Sequence, residues 1–430
     1  MRIAFISYEY PPDTASGGIA TYTHQAAVMM ARRGHVVEVF AASKLRKGVF
    51  FEDGVTVHLS QPENRDTFAD LAGVQFAARH AAAPFDVMEG PDYRADARTA
   101  AALAPEVPLI VRLHTPRYLV ERINMTIARG SIGRRRVVWE AWRRGVRPLW
   151  DTRHPANRVE RCHALDADEI IAPSDSIARI VARDWRIDPS RILKLPNPFV
   201  PSPALLSVPV RTRTNTVAFI GRLESRKGVL DFARAIPLIL AQQPKTSKTK
   251  FRFVGMPLGS PNTNQKMDVY IQELLAGSLR AVDFTGHVPF DQISGVLCET
   301  DICVFPSIWE NFPNVCLEAM SAGRGIVGSW SGGMQEMLDG GRVGRLVPPR
   351  RPDKIAAAIL DLLADTEERE RLGESARARV LSEYSLDRIG AAQEASFVRV
   401  AGTKSRRTPR FYSKQSPLSL PVASSLRPYA

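Results

Sequence analysis

At 430 residues with 44% apolar content, the chain is too long for one compact core and long enough for two domains of ordinary size. Its net charge of +13 is local: residues 129–153 hold eight arginines against Glu140 and Asp151, residues 402–430 hold six Lys and Arg with no acid, and the rest is near neutral. The start MRIAFISYEY has no basic segment ahead of a long apolar run, no stretch of about eighteen apolar residues occurs, and Cys162, Cys298, Cys303 and Cys316 lack Cys-x-x-Cys spacing, which argues against a signal peptide, a membrane span and a zinc site.

Residues 3–7 form an apolar run of strand length, and a helical pattern over 18–33 ends at Gly34, a residue suited to the position just past a helix. Further strands are expected at 35–40, 55–59, 86–88, 109–113 and 168–172, the last after a helix beginning near Arg153. Strands alternating with helices imply right-handed βαβ units and a parallel sheet over a first domain, 1–195. Residues 196–216 are rich in Pro, Ser and Thr and read as a linker. The pattern then restarts over 217–384: strands at 216–220, 250–255, 281–285, 301–305, 325–328 and about 344–347, with helices at 229–242, 265–277, 290–299, 313–322, 333–338 and 352–364. A helix at 385–400 follows, and 402–430 has no periodicity and reads as a disordered basic tail.

The densest chemistry lies in PSIWENFPNVCLEAMSAG, 306–323. Pro313 is compatible only with a helix start, so Glu310 falls in the preceding loop and Glu318 about a turn and a half inside the helix. Free N–H groups and positive potential at such a start suit a phosphate or a sugar hydroxyl. Eight residues at about 1.5 Å rise separate the carboxylates by roughly 12 Å. Glycosidase pairs sit roughly 5–9.5 Å apart, so two contacts on one extended ligand are favoured over a hydrolytic pair. The competing reading is a charged surface helix with a polar lead-in.

Followed by Gly332-Gly333-Met334-Gln335-Glu336, this stretch resembles the C-terminal half of the retaining nucleotide-sugar glycosyltransferases of family four, with their Glu-x7-Glu and Gly-Gly-x-x-Glu motifs. Gly221-Arg222-Leu223-Glu224-Ser225-Arg226-Lys227-Gly228 resembles that family's diphosphate loop. Ser16-Gly17-Gly18 resembles its first glycine loop, and Arg112-Leu113-His114-Thr115-Pro116 its sugar-proximal histidine segment. The motifs run in the family's order over about residues 1–400. The resemblance implies the GT-B fold, two Rossmann-like domains with parallel sheets facing a central cleft and the last helix crossing back to the first domain.

It further implies a donor nucleotide, UDP- or GDP-linked, held mainly by the second domain, an acceptor on the first, and no metal. Glu318 would accept hydrogen bonds from ribose hydroxyls, and Glu310 and His114 would face the donor sugar. Arg222 and Lys227 would stabilise the charge of the departing diphosphate. Phe312, Asn314 and Val315 would offer backbone N–H groups. Pro313 stands where a Gly is frequent and donates nothing. Gly17 and Gly18 sit where ligands of open α/β sheets bind and allow close backbone approach. Asn197 resembles the family's interdomain Pro-Asn segment, and Asp13, before the glycine loop, is placed to face an acceptor hydroxyl.

Two strings mislead. Gly323-x-Gly325-x-x-Gly328 matches a dinucleotide fingerprint but follows a helix and enters a strand, the reverse of what the fingerprint requires. Asp166-Ala167-Asp168 matches a metal-binding Asp-x-Asp but reads as a helix end before a buried strand. The insert 129–153 interleaves Trp139, Trp142 and Trp150 with arginine, a pattern suited to an anionic lipid surface. The expectation is a cytoplasmic glycosyltransferase, peripheral to the membrane's inner face, acting on a glycan or lipid-linked acceptor in cell-surface polysaccharide or glycolipid synthesis, with no nucleic acid partner. A non-catalytic sugar-nucleotide-binding protein on the same fold and a basic nucleic-acid-binding protein are the alternatives.

Overall fold

The computed structural model describes residues 1–14, 17–127, 138–139, 142–143, 145, 147–244, 246–261 and 265–403. Two sheets organise them. The first has eight strands in the order β3-β4-β2-β1-β5-β6-β7-β8: β1 Arg2–Ile6, β2 Val36–Ala42, β3 Gly48–Glu52, β4 Val55–Ser60, β5 Val87–Pro91, β6 Leu109–Arg112, β7 Glu169–Ala172 and β8 Ile192–Lys194. All its pairings are parallel except β3 with β4. The second has six parallel strands in the order β11-β10-β9-β12-β13-β14: β9 Thr216–Ile220, β10 Lys250–Val254, β11 Val282–Gly286, β12 Ile302–Phe305, β13 Gly325–Ser329 and β14 Arg345–Val347.

Helices cover both faces, so central strands are buried on both sides and read as continuous apolar runs. Every residue of β9 and of β13 is buried. The helix Val229–Gln242 packs Val229, Phe232, Ala233, Ile236 and Ile239 onto the second sheet, the spacing of one helical face. This is the two-sheet α/β architecture of the GT-B fold.

Beyond the first domain's covering helices, several elements differ from the sequence expectation. The edge strand β3 and the short β8 are additional. So is Thr366–Glu383, a charged helix whose inward face is a narrow line of Leu372, Ala376 and Val380 with Arg369 buried beside it. Residues 196–216 contain a helical turn, Pro203–Leu206, capped by Ser202, and Phe199, Leu205 and Val208 join the second domain's core. Residues 404–430 lie outside the described residues.

The helix Leu386–Ala401 lies against the first sheet, with Ile389, Phe397 and Val400 in its core and Phe397 edge-on to Phe5 at 6.1 Å between ring centres. Gln393 is fully buried there, its Nε2 donating to the Tyr22 hydroxyl at 2.9 Å and to Glu89 Oε2 at 3.1 Å. Removing one partner from such a set leaves buried polar groups unsatisfied, at about 1–3 kcal/mol. Gln393→Leu should lower the denaturant midpoint by a stability loss of about that size, measured by equilibrium unfolding. An unchanged midpoint would mean that the apolar face alone holds the helix.

Candidate functional site

The loops after β9 and β12 meet at one ion-pair cluster. After β9, the chain turns through a 3-10 segment, Ser225–Lys227, to Gly228, whose φ of 72° favours glycine. A Cβ on Gly228 would lie 2.0 Å from the Pro306 carbonyl oxygen, so the absent side chain lets this loop lie against the next. Lys227 Nζ then reaches Glu310 Oε2 at 2.6 Å, with Arg226 Nη1 at 3.6 Å. Arg226 and Arg222 share Glu224 Oε1 at 3.0 and 3.1 Å. Burial pushes the Glu310 carboxyl up, but Lys227 and Arg226 outweigh it and hold the group ionised, below its ordinary range. Arg222 remains 58% exposed, a cation open to solvent beside a buried anion.

Past Glu310, Pro313 ends the loop and the helix Asn314–Ser321 begins with no side-chain cap. Its first N–H groups have no partner within the helix. Asn314 and Val315 lie half-buried at this start, and Phe312 meets Tyr384 edge-on at 5.5 Å. Glu318, inside the helix, is 6% exposed, and burial pushes its carboxyl up to about 7. No described residue hydrogen-bonds that carboxyl.

The Gly-Gly-x-x-Glu motif has a steric and an electrostatic reason. A Cβ on Gly332, whose φ is 77°, would lie 1.9 Å from the Glu310 carbonyl oxygen, and one on Gly333 would lie 1.9 Å from that of Asn311. Gly333 N–H donates to the Glu310 carbonyl at 2.9 Å. Glu336 reaches across to the first domain, accepting from the backbone N–H groups of Asp175 and Ser176 at 2.9 and 3.0 Å. Those groups open the helix Asp175–Trp185, where a carboxylate complements the helix dipole.

On the first domain, His114 follows β6. Its ring packs edge-on to Tyr22 at 5.3 Å, and burial, then Arg112, pushes it down to about 3, so it is neutral at physiological pH. Beneath it lies a buried polar network: Arg112 over the Tyr22 ring at 4.4 Å, Arg112 Nε 3.7 Å from Glu89 Oε1, and Gln393 closing the set. Asp92, fully buried and pushed up to about 7 by burial, accepts the His114 and Tyr93 N–H groups, each at 2.8 Å. Glu160, pushed up to about 8 by burial, accepts those of Arg94 and Arg117 at 2.9 and 2.8 Å.

Gly17 is the N-cap of the helix Gly18–Arg32, and a Cβ there would stand 3.4 Å from Glu9 Oε2, whereas Gly18 has open space. Ser16 lies outside the described residues. Asp13, expected toward an acceptor, has its carboxylate taken up by Arg46 at 2.7 Å and Ser43 at 2.9 Å. Asn197 is buried, and its Oδ1 has no hydrogen-bond partner among the described residues.

Asp166 closes the helix Pro155–Asp166, and Asp168 Oδ2 accepts the Leu109 N–H at 2.8 Å, a structural role. Gly323, Gly325 and Gly328 run from helix into β13. Sequence reasoning missed Arg226, Asn311, Asp92 and Glu160. Arg226 and Asn311 carried a local signal, their places beside Lys227 and Glu310.

In the insert, Arg129, Arg134, Arg135, Arg136, Glu140 and Arg144 lie outside the described residues. Trp139 and Trp142 are 53% and 76% exposed, with Arg143 over the Trp139 ring at 5.5 Å. No helix among the described residues is long and apolar enough to cross a membrane.

Two family models match successive parts of the chain: a glycosyl transferase 4-like domain over residues 17–198 and glycosyl transferases group 1 over 214–365. A glycogen synthase of Mycobacterium tuberculosis is 27% identical over 95% of this chain and 97% of its own. A D-inositol 3-phosphate glycosyltransferase of Corynebacterium jeikeium is 26% identical over 87% and 91%. Among solved structures, sucrose-phosphate synthase of Thermosynechococcus elongatus superposes with a TM-score of 0.69 at 20% identity, over 93% of this chain and 99% of that one. HepE of Anabaena, solved with UDP, gives 0.64 at 19%, over 93% and 100%. With both family models matched in order on a GT-B fold, the chain belongs to the glycosyl transferases of group 1 and is a glycosyltransferase.

Proposed function

We propose that the enzyme transfers a sugar from a UDP- or GDP-linked donor to a glycan or lipid-linked acceptor, with retention at the anomeric carbon and without a metal. The observation that carries this reading is the exposed Arg222 beside Lys227, which is already committed to the buried Glu310. An incoming diphosphate meets a preformed cationic site. Glu318 receives the ribose hydroxyls, and the uncapped helix start at Asn314 and Val315 adds N–H groups to the phosphates. Glu310 and neutral His114 face the donor sugar from the two sides of the cleft.

The bond from the anomeric carbon to the diphosphate breaks, the acceptor oxygen forms the new bond on the same face, and its proton passes to the departing diphosphate. Arg222 and Lys227 supply the charge stabilisation that a metal would otherwise give. HepE of Anabaena was solved with UDP and with UDP-glucose, which supports a nucleotide-sugar donor here. The acceptor belongs to cell-surface polysaccharide or glycolipid synthesis, and the enzyme sits on the cytoplasmic face of the membrane through the insert 129–153.

Arg222→Ala should lower turnover at least about tenfold with an unchanged unfolding midpoint, since the side chain is largely exposed. Lys227→Ala should lower both, because Glu310 loses its nearest cation, and Glu310→Gln in the same chain should restore stability but not turnover. Unchanged kinetics in both single variants would sink the diphosphate assignment.

The Glu318 carboxyl keeps its proton below about 7, and ribose hydroxyls bind the ionised form more strongly. UDP affinity should therefore climb between about pH 6 and 8 and level off above, by more than in Glu318→Gln, which has no proton to lose. The titration of UDP itself is common to both proteins. Identical pH slopes by calorimetry would remove Glu318 from the ribose.

Binding to anionic vesicles should weaken with salt, as the Debye length falls from about 10 Å at 0.1 M to about 3 Å at 1 M. Changing Arg134, Arg135 and Arg136 to Ser should remove up to about 1 kcal/mol each. Equal co-sedimentation with neutral and anionic vesicles would refute the membrane assignment.

A further inference from the structure

Asn311 follows Glu310 in the chain, yet the two side chains serve different domains. Glu310 turns to Lys227. Asn311, only 7% exposed, crosses to the first domain. Its Nδ2 donates to the carbonyl oxygen of His114 and, at 3.5 Å, to that of Leu113, while its Oδ1 accepts from Ser174 Oγ at 2.9 Å.

The His114 peptide is held from the opposite side as well, its N–H donating to Asp92 Oδ1 at 2.8 Å. Three residues on, the Arg117 N–H is fixed by Glu160. The segment 114–117 is thus anchored within its own domain, and the His114 carbonyl links it to Asn311 of the other. Asn311 has little freedom to give way: the Gly333 backbone packs against its carbonyl so closely that a Cβ would come to 1.9 Å. One short path therefore joins the Glu310 carboxylate to the His114 ring, beside the Trp309 and Glu336 contacts that also reach the first domain. It runs through the 310–311 peptide, the Asn311 amide and the His114 carbonyl.

An amide offers a donor and an acceptor together, which this position uses at once. Aspartate has the same shape and keeps an acceptor for Ser174, but places a carboxylate against two carbonyl oxygens.

We propose that Asn311 is a positioning residue for sugar transfer, fixing the register between His114 of the first domain and Glu310 of the second. This rests on the reading of those two residues as donor-sugar contacts. Misplacement of a reacting group by about 1 Å can cost on the order of a hundredfold in rate, without loss of binding elsewhere.

The test uses the full chain with UDP-glucose as donor, its ADP- and GDP-linked counterparts in parallel, and UDP as binding probe. Asn311→Asp should lower turnover at least about tenfold while UDP affinity stays within about twofold, because the diphosphate cations lie on the second domain. Ser174→Ala, which keeps the His114 bond, should retain most of the turnover. In a His114→Ala background, Asn311→Asp should cost no more than about twofold, since a residue acting through the ring has nothing left to place. Additive losses in that cycle, or a parallel fall in UDP affinity, would overturn the proposal and leave Asn311 a fold contact.

A readout independent of activity is the histidine ring resonance of His114, identified by its absence in His114→Ala. It should move in Asn311→Asp and hold still in Ser174→Ala, and an unmoved resonance in Asn311→Asp overturns the proposal. If the unaltered protein binds none of the sugar nucleotides, the functional reading fails, and the ring resonance still decides the role of Asn311.

Discussion

The cleft depends on keeping Glu310 charged while it is buried. A buried carboxylate without a partner costs several kcal/mol, and breaking a buried pair typically costs about 3–5 kcal/mol. Lys227 at 2.6 Å and Arg226 at 3.6 Å meet that demand, and both come from the loop after β9. The loop after β12 is therefore tied to the loop after β9, and neither can rearrange without exposing an uncompensated charge. Three glycines make the approach possible. Gly228 lets the first loop touch Pro306, and Gly332 and Gly333 let the backbone of 310–311 rest on a third loop, beyond β13. The conformations of these glycines and the ion pair are one constraint seen from two sides.

Much of this second domain was legible because its signals are local. Strands buried on both faces are runs of apolar residues, and β9, β12 and β13 stand where such runs occur. Proline cannot sit inside a helix without cost, so the position of Pro313 placed Glu310 in a loop and Glu318 within a helix before any geometry was known. The elements that were not legible lack such signals. The strand β3 is an exposed edge with Val49 64% and Phe51 76% exposed, an alternation too short to distinguish from a loop. The helix Thr366–Glu383 buries a line of residues four apart in a segment otherwise full of Glu and Arg, and its periodicity is hidden by that charge.

On the first domain's side, the sequence placed Gly17 and Gly18 between the first strand and the first helix, and it pointed to His114 only through resemblance. What holds His114 and the residues around it comes from distant parts of the chain: Asp92 after β5 on the His114 N–H, Glu160 of the helix Pro155–Asp166 on the Arg117 N–H, and Gln393 of the last helix on Tyr22 and Glu89. Each of these is an ordinary polar residue in its local context. Their role appears only when folding removes them from water, where an unpaired polar group is costly and each must find the backbone or another side chain. Glu336 shows the same limit. The sequence gives it only as the last residue of a motif, whereas in the fold its carboxylate accepts from the first N–H groups of the helix Asp175–Trp185 of the other domain.

These contacts make the cleft asymmetric. Glu310 and Lys227 satisfy each other on the anion side, while Arg222 is largely solvated and, among the described residues, pairs with a carboxylate it shares with Arg226. On the proposed reading, a diphosphate arriving between them recruits Arg222 at little cost, because an exposed ion pair is worth only about 0–1 kcal/mol and its loss is readily replaced. Lys227 can contact the phosphate without abandoning Glu310, since an ammonium carries three donors and Glu310 occupies one. On that reading the buried pair stays neutralised through the arrival and departure of the leaving group, and the charge that develops on the diphosphate meets Arg222, the most exposed of the three cations.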